Sequence, residues 1–254
     1  MKNFGSGLIL FLICTSFALS SFGQLSDIKD KKTVADFVEL IQTEQVGKLA
    51  DQVKYPLRRV YPIPAVYNKC EFIQRYTEIF DDSLKNIITH SDPINDWSKV
   101  GWRGIMLLQG LLWIDGKLTS VNHQSVSEKR LSDLLIAKDK SRLPANLRNY
   151  RKPILYMETQ KFIIRIDEME GNKYRYASWS RGSNTVSTPD LVLLNGTWTP
   201  DGSGGNHYYR FLSGDYQYDC IIALLNNNGI PSATIEVSKA GQKVLKQTST
   251  LLKI

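Results

Sequence analysis

Histidine and cysteine are scarce in this sequence, three of each in 254 residues. His90, His123 and His207 stand far apart, and no His or Cys pair has the close spacing that closes a zinc site, so no metal is expected. Two catalytic layouts are also missing. No Gly-x-Ser-x-Gly elbow opens a helix. The glycines Gly202, Gly204 and Gly205 lack the Lys-Ser/Thr pair and the strand-to-helix setting of a phosphate loop. Asp201 begins that stretch, but the alternating acids and terminal Glu of a calcium loop are absent, which leaves a hairpin loop as the reading. No cofactor is expected. Long apolar runs are missing too. The longest beyond the N-terminus, residues 105–114, is broken by Gln109 and Gly110, whereas a spanning helix takes roughly 20 residues, so no membrane span is expected after the first segment.

That first segment has an order of its own: Lys2 near the start, an apolar run from Leu8 to Cys14, then small and polar residues to Gln24. This is the order of a cleavable secretory signal. Ser21 and Gly23 are the small residues expected before a cut at Gln24, with Ala18 and Ser20 as the alternative pair. Cys14 follows Ile13, where a lipid-attachment signal wants a small residue, so it belongs to the segment expected to be removed. The expectation is an exported protein, periplasmic or extracellular, with residues 1–23 as signal peptide.

Cys70 and Cys220 remain, in different expected units, which favours two separate buried thiols over one bridge. The net charge of +7 becomes +6 without Lys2, and the excess is uneven. Residues 128–161 carry nine basic side chains against four acidic ones. Such a stretch suits an acidic polymer or anionic lipid, but it has neither aromatic interleaving nor a groove-reading motif. The reading is a solvated basic connector, with no specific nucleic acid as partner.

Apolar periodicity predicts helices over residues 33–53 and 69–89. From Val100 the pattern changes to strands, with Gln109-Gly110 and Asp115-Gly116 as turns dividing 102–108, 111–114 and 117–123 into a meander. Ser125 and Glu128 form a capping-box pattern that opens another helix. The remainder predicts strands at 162–167, 174–179, 191–194, 208–212, 216–225, 232–238 and 244–250. The fold class expected is α+β: an N-terminal cone of helices on a curved antiparallel sheet over residues 24–125, a helix and linker over 126–153, and a small all-β domain over 154–254.

The phrases Phe37-Val38-Glu39-Leu40-Ile41, Tyr55-Pro56-Leu57, Asn68-Lys69-Cys70-Glu71-Phe72-Ile73, Ile79-Phe80-Asp81 and Gly101-Trp102-Arg103-Gly104 resemble the exported bacterial branch of the nuclear-transport-factor-2-like superfamily, which includes SnoaL-like cyclases. The likeness covers roughly residues 30–125 and implies a conical pocket between sheet and helix. The superfamily's enzymes place an Asp or His there as general base, while many members only bind. No catalytic motif carries over residue by residue. The β-rich part, marked by Tyr174-Arg175-Tyr176-Ala177-Ser178-Trp179, resembles uncharacterised exported modules and implies no function.

Candidate bases are His123, on a predicted strand, and Asp96; both also read as ordinary strand and loop residues. His90 reads as a partner of its helix's last carbonyls, and Asp92-Pro93 as a turn. Trp97, Trp102, Arg103 and Trp113 are the candidate ligand contacts of the cone. The crowd of Trp179, Trp198, Tyr208, Tyr209, Tyr216 and Tyr218 reads mainly as core and cross-strand pairs. Together these readings favour an exported non-enzymatic binding or scaffold protein for a small apolar ligand or a protein partner. The alternative is a small lyase- or isomerase-type enzyme working in the cone.

Overall fold

The computed structural model describes residues 23–25, 27–202, 204–224 and 232–254. The signal peptide read from residues 1–23 lies outside them except for Gly23. Among the described residues there are two antiparallel sheets, one of five strands and one of nine, and no described strand belongs to both.

The first half places helices before strands. Helix α1 (Ile28–Gln42) starts on Asp27, whose carboxylate accepts from the Lys29 amide at 2.8 Å. The chain then turns through Glu44 at positive φ into the short α2 (Val46–Asp51), so the single helix expected over 33–53 is two. The helix expected over 69–89 is also two: α3 (Lys69–Ile79), capped by Asn68, and α4 (Asp82–Thr89). The break falls where Asp81 leaves the helix and accepts from the Leu84 amide at 2.9 Å. A short carboxylate offers the backbone a cap that competes with continuing the turn, and an apolar stripe does not record that competition.

The five-stranded sheet is a meander of β1 (Gly23–Gln24), β2 (Trp97–Lys99), β3 (Ile105–Leu107), β4 (Leu112–Asp115) and β5 (Lys117–Val121). The Asp115-Gly116 turn is where the sequence puts it, with Asp115 opposite Lys117. The strand expected over 102–108 is shorter, because Gly101–Arg103 forms a one-turn helix. Between this sheet and the helices, Phe37, Phe72, Phe80, Trp97 and Leu107 join one buried cluster. Where the resemblance implies a hollow, these described side chains pack against one another. A cavity beside this core, lined by Phe37, Leu40 and Ile114 among others, has about 180 Å³. That falls below the 300–1,000 Å³ usual for a ligand pocket.

Helix α5 (Val126–Arg142) follows, capped by Ser125, whose hydroxyl accepts from the Glu128 amide at 3.0 Å. The second sheet runs as a meander: β6 (Lys152–Glu158), β7 (Phe162–Glu168), β8 (Tyr174–Ser180), β9 (Leu191–Pro200), β10 (His207–Ser213), β11 (Tyr216–Ala223), β12 (Ser232–Lys239), β13 (Gln242–Thr248) and β14 (Leu251–Lys253). It curls until its ends meet on one segment. The Ser249 amide donates to Ala233 of β12 at 2.7 Å, and the next amide, Thr250, donates to Glu158 of β6 at 2.6 Å. The bend at Ser249 and Thr250 thus touches both β12 and β6, the strands next to the two ends of the sheet. Alternate residues point inward, and Met157, Ile166, Tyr176, Phe211, Cys220 and Ile235 are among those that fill the interior.

The outer face of β7 and β8 is covered as well. Leu143, Leu147 and Tyr150 are buried against Ile163, Ala177 and Trp179. The stretch read as a solvated connector is therefore packed, because its apolar residues fall between the charges. Under it, Asp167 is fully buried and accepts from Arg165 at 2.7 Å and from Arg175 at 2.6 Å. Cys220 is buried, whereas Cys70 is an exposed free thiol on α3, which corrects the expectation that both are buried.

Candidate functional site

The structure scatters the residues singled out in the sequence. Trp97 is 0% exposed, its indole edge on Phe37 at 6.2 Å and its Nε1 donating to the Ser91 hydroxyl at 2.8 Å. It is core, because strand alternation turns it toward α1. Trp102 is 73% exposed on the one-turn helix. Arg103 and Trp113 do meet, the guanidinium 4.2 Å from the ring centre. Asp96 accepts from the Asp92 amide at 2.8 Å and ties the 92–96 turn. Asp92 accepts from the Ile94 amide, which with Asn95 holds its carboxyl below the usual range. His90 Nδ1 meets the Asn86 carbonyl at 3.0 Å, as read from the sequence. His123 Nε2 lies 2.9 Å from Asp81 Oδ1, the same oxygen that caps α4.

A larger space lies elsewhere. Residues 56–67, α5 and β14 frame a groove of about 600 Å³. Its walls include Pro56, Tyr61, Ile63, Pro64, Leu252 and Ile254. The 57–60 segment is extended, so its residues alternate: Leu57 and Arg59 are buried, Arg58 and Val60 exposed. Leu57 exchanges both backbone hydrogen bonds with Val66 at 2.8 Å. Arg59 anchors the whole segment. Its Nε donates to Glu128 of α5 at 2.6 Å, its Nη2 to Glu128 and, at 2.7 Å, to the His123 carbonyl, and its Nη1 to the Val121 carbonyl. Both partners are buried, so this pair fixes the groove's two walls relative to β5.

The rim is cationic. Five basic side chains line the groove (Arg58, Arg59, Lys138, Arg142 and Lys253) against the single acid Asp139. Arg59 is neutralised by Glu128. Asp139 is taken by Arg165 at 2.6 Å and by the Tyr150 hydroxyl at 2.5 Å. Among the described residues Arg58, Lys138 and Arg142 have no carboxylate partner, and Lys253 lies 5.1 Å from the centre of the Tyr156 ring. Surrounding atoms desolvate Arg58 and lower its pKa from the ordinary arginine value. Burial pushes the Tyr61 hydroxyl up to about 12, and it has no hydrogen-bond partner among the described residues.

A second cavity of about 540 Å³ shares Pro56, Arg58 and Ile254 with the groove. It lies where β5 and residues 54–58 meet inward residues of the curled sheet, Leu155, Tyr209 and Ile222. Neither His123 nor Asp81 lines either space.

Sequence reasoning passed over Arg58, Arg59, Tyr61 and Glu128. The signal was present in part: Pro56, Pro62 and Pro64 space one stretch, and Lys138 and Arg142 stood in the basic run. Nothing local says that the two face each other. Among the described residues no group of three or more His, Cys, Asp or Glu side chains is placed to hold a metal ion, and no helix is long and apolar enough to cross a membrane. No family model, curated protein or solved structure matches this chain.

Proposed function

We propose that this is an exported, non-catalytic binding protein that holds a small amphipathic anion in the groove between residues 56–67, α5 and β14. One observation carries the reading: an apolar-walled groove of about 600 Å³ is rimmed by Arg58, Lys138 and Arg142, none of which has a carboxylate partner among the described residues. Apolar walls supply affinity and a few charged groups supply orientation, the usual division of labour in a ligand site. The N-terminal signal order supports export. The order of helices followed by a meander supports the nuclear-transport-factor-2-like resemblance, and the groove lies outside the buried cluster between those helices and their sheet.

The enzymatic alternative draws on the pairing of His123 with Asp81, since a general base needs a carboxylate to orient it. Both its partners line neither cavity, and Asp81 already serves as a helix cap, so binding is the stronger reading.

Native mass spectrometry of the purified chain tests the proposal. A small molecule is expected to travel with the protein and to be lost in the K138E/R142E double variant at unchanged melting temperature. Anilinonaphthalene sulfonate is expected to bind one per chain and to weaken about tenfold or more in the same variant, roughly 1.4 kcal/mol. No co-purifying molecule together with charge-independent dye binding would refute the groove as the site.

A further inference from the structure

The two cavities share Pro56, Arg58 and Ile254. We infer that the ligand is a single-chain amphiphile, its anionic head in the cationic groove and its hydrocarbon tail in the second cavity, with Arg58 at the junction. The inference rests on the groove being the ligand site and adds the class of molecule that fits.

The division follows from which polar groups are already satisfied. In the second cavity the Tyr55 hydroxyl donates to Ala50 at 2.9 Å, Thr119 to Trp113 at 3.2 Å, and Ser120 to Asn122 at 2.7 Å. Asn122 donates in turn to Gly110 at 2.6 Å, and His207 Nδ1 lies 2.9 Å from the Gly205 carbonyl. These groups have little left to offer a polar ligand. What remains of that wall is Ile154, Leu155, Ile222, Leu224 and Ile254, with Pro56, the Tyr209 ring and two cations, Arg58 and Lys54. A hydrocarbon chain laid along Ile154, Leu155, Ile222, Leu224 and Ile254 gains about 0.8 kcal/mol per buried methylene, with Lys54 and Arg58 left beside it.

The groove is the more cationic of the two. Its cations exceed its acids by several charges, and the one acid is held by Arg165 and Tyr150. An anionic head placed there meets complementary charge without displacing an existing ion pair. Arg58 lines both spaces and has no partner among the described residues, so it stands where head and tail would join. A purely apolar ligand would leave the cations unanswered; a purely polar anion would leave the second cavity unused.

The experiment is calorimetric titration of the purified full chain with three probes: dodecyl phosphate below its micelle concentration, inorganic phosphate, and dodecyltrimethylammonium. Dodecyl phosphate is expected to bind one per chain, at least about a hundredfold tighter than either of the others. Arg58→Ala should weaken it about tenfold or more. Leu224→Trp and Ile154→Trp, each at a partly buried position and each expected to fill the tail space, should weaken it at unchanged melting temperature while leaving any phosphate affinity as it was. Equal binding of the anionic and cationic chains, insensitivity to both filling variants, or no binding of dodecyl phosphate at all would overturn the inference. A native ligand that still disappears in K138E/R142E would in those cases keep the groove reading standing, so the two fail separately.

Discussion

Removing the Glu128 carboxylate isolates the interaction that holds the groove together. In Glu128→Ala, Arg59 keeps its carbonyl partners Val121 and His123 but loses both carboxylate contacts, and its charge stays in a site that is only 6% exposed. Arg75 Nη2, buried without a hydrogen bond and 3.9 Å from Glu128, loses its nearest buried anion as well. Breaking one side of a buried ion pair typically costs about 3–5 kcal/mol, because the remaining charge cannot recover its water. Against total stabilities of about 5–15 kcal/mol this is severe. At roughly 2–4 °C per kcal/mol for a chain of this size, the melting temperature should fall by about 6–20 °C. The assay is urea unfolding followed by tryptophan fluorescence and circular dichroism, on Glu128→Ala, Glu128→Gln and the R59M/E128L double variant. Glu128→Gln should lose less than Ala, since the amide keeps the volume and one acceptor. The double variant should stay within about 1 kcal/mol of the parent or exceed it, because it removes both desolvated charges together. A loss below about 1 kcal/mol for Glu128→Ala, or a double variant worse than the single, would refute the reasoning.

Gly196 of β9 sits under the Phe211 ring, where a Cβ would come within 2.1 Å of a ring carbon; Gly196→Ala should therefore lower stability by about 1–3 kcal/mol or more, with partial recovery in G196A/F211L. An alanine tolerated at no cost in thermal melting would show that the sheet interior is loosely packed. Burial raises the Tyr55, Tyr61 and Tyr156 hydroxyls from 10.0 to about 12, so the folded chain keeps protons that the unfolded chain releases. Their contribution is complete below pH 10 and lost as pH rises through 12, and the urea midpoint should fall across that window while phenolate absorbance appears late. A flat midpoint from pH 10 to 12 would contradict the burial of these rings.

Features whose cause lies within a few residues were legible. Asp115-Gly116 joins β4 to β5, and Ser125 caps α5 as its spacing with Glu128 foretold. The companion half of that capping pattern failed instructively. Glu128 does not reach back to its own helix start; its carboxylate belongs to Arg59, 69 residues away in sequence. The strand β6 was not among the strands read from the sequence; it carries Pro153 with a register shift between Pro153 and Leu155.

The candidate site shows the same limit. Trp97 and Trp113 are both aromatic residues on short strands, and only packing decides that the first is core and the second sits beneath Arg103. Arg58 and Arg59 are neighbours with identical side chains; their alternation in burial and a distant glutamate make one an anchor and leave the other without a carboxylate partner among the described residues. By itself the sequence determined its turns, its caps, the α-before-β order, and the split into a helix-rich half and a strand-rich half, because propensity and periodicity act locally. Tertiary structure alone decided the filled interior of the first half, the closure of the second sheet through Ser249 and Thr250, and the charged groove between residues 56–67 and α5. Each of these joins residues far apart in the chain, and no local pattern records which distant charge or apolar face will be waiting there.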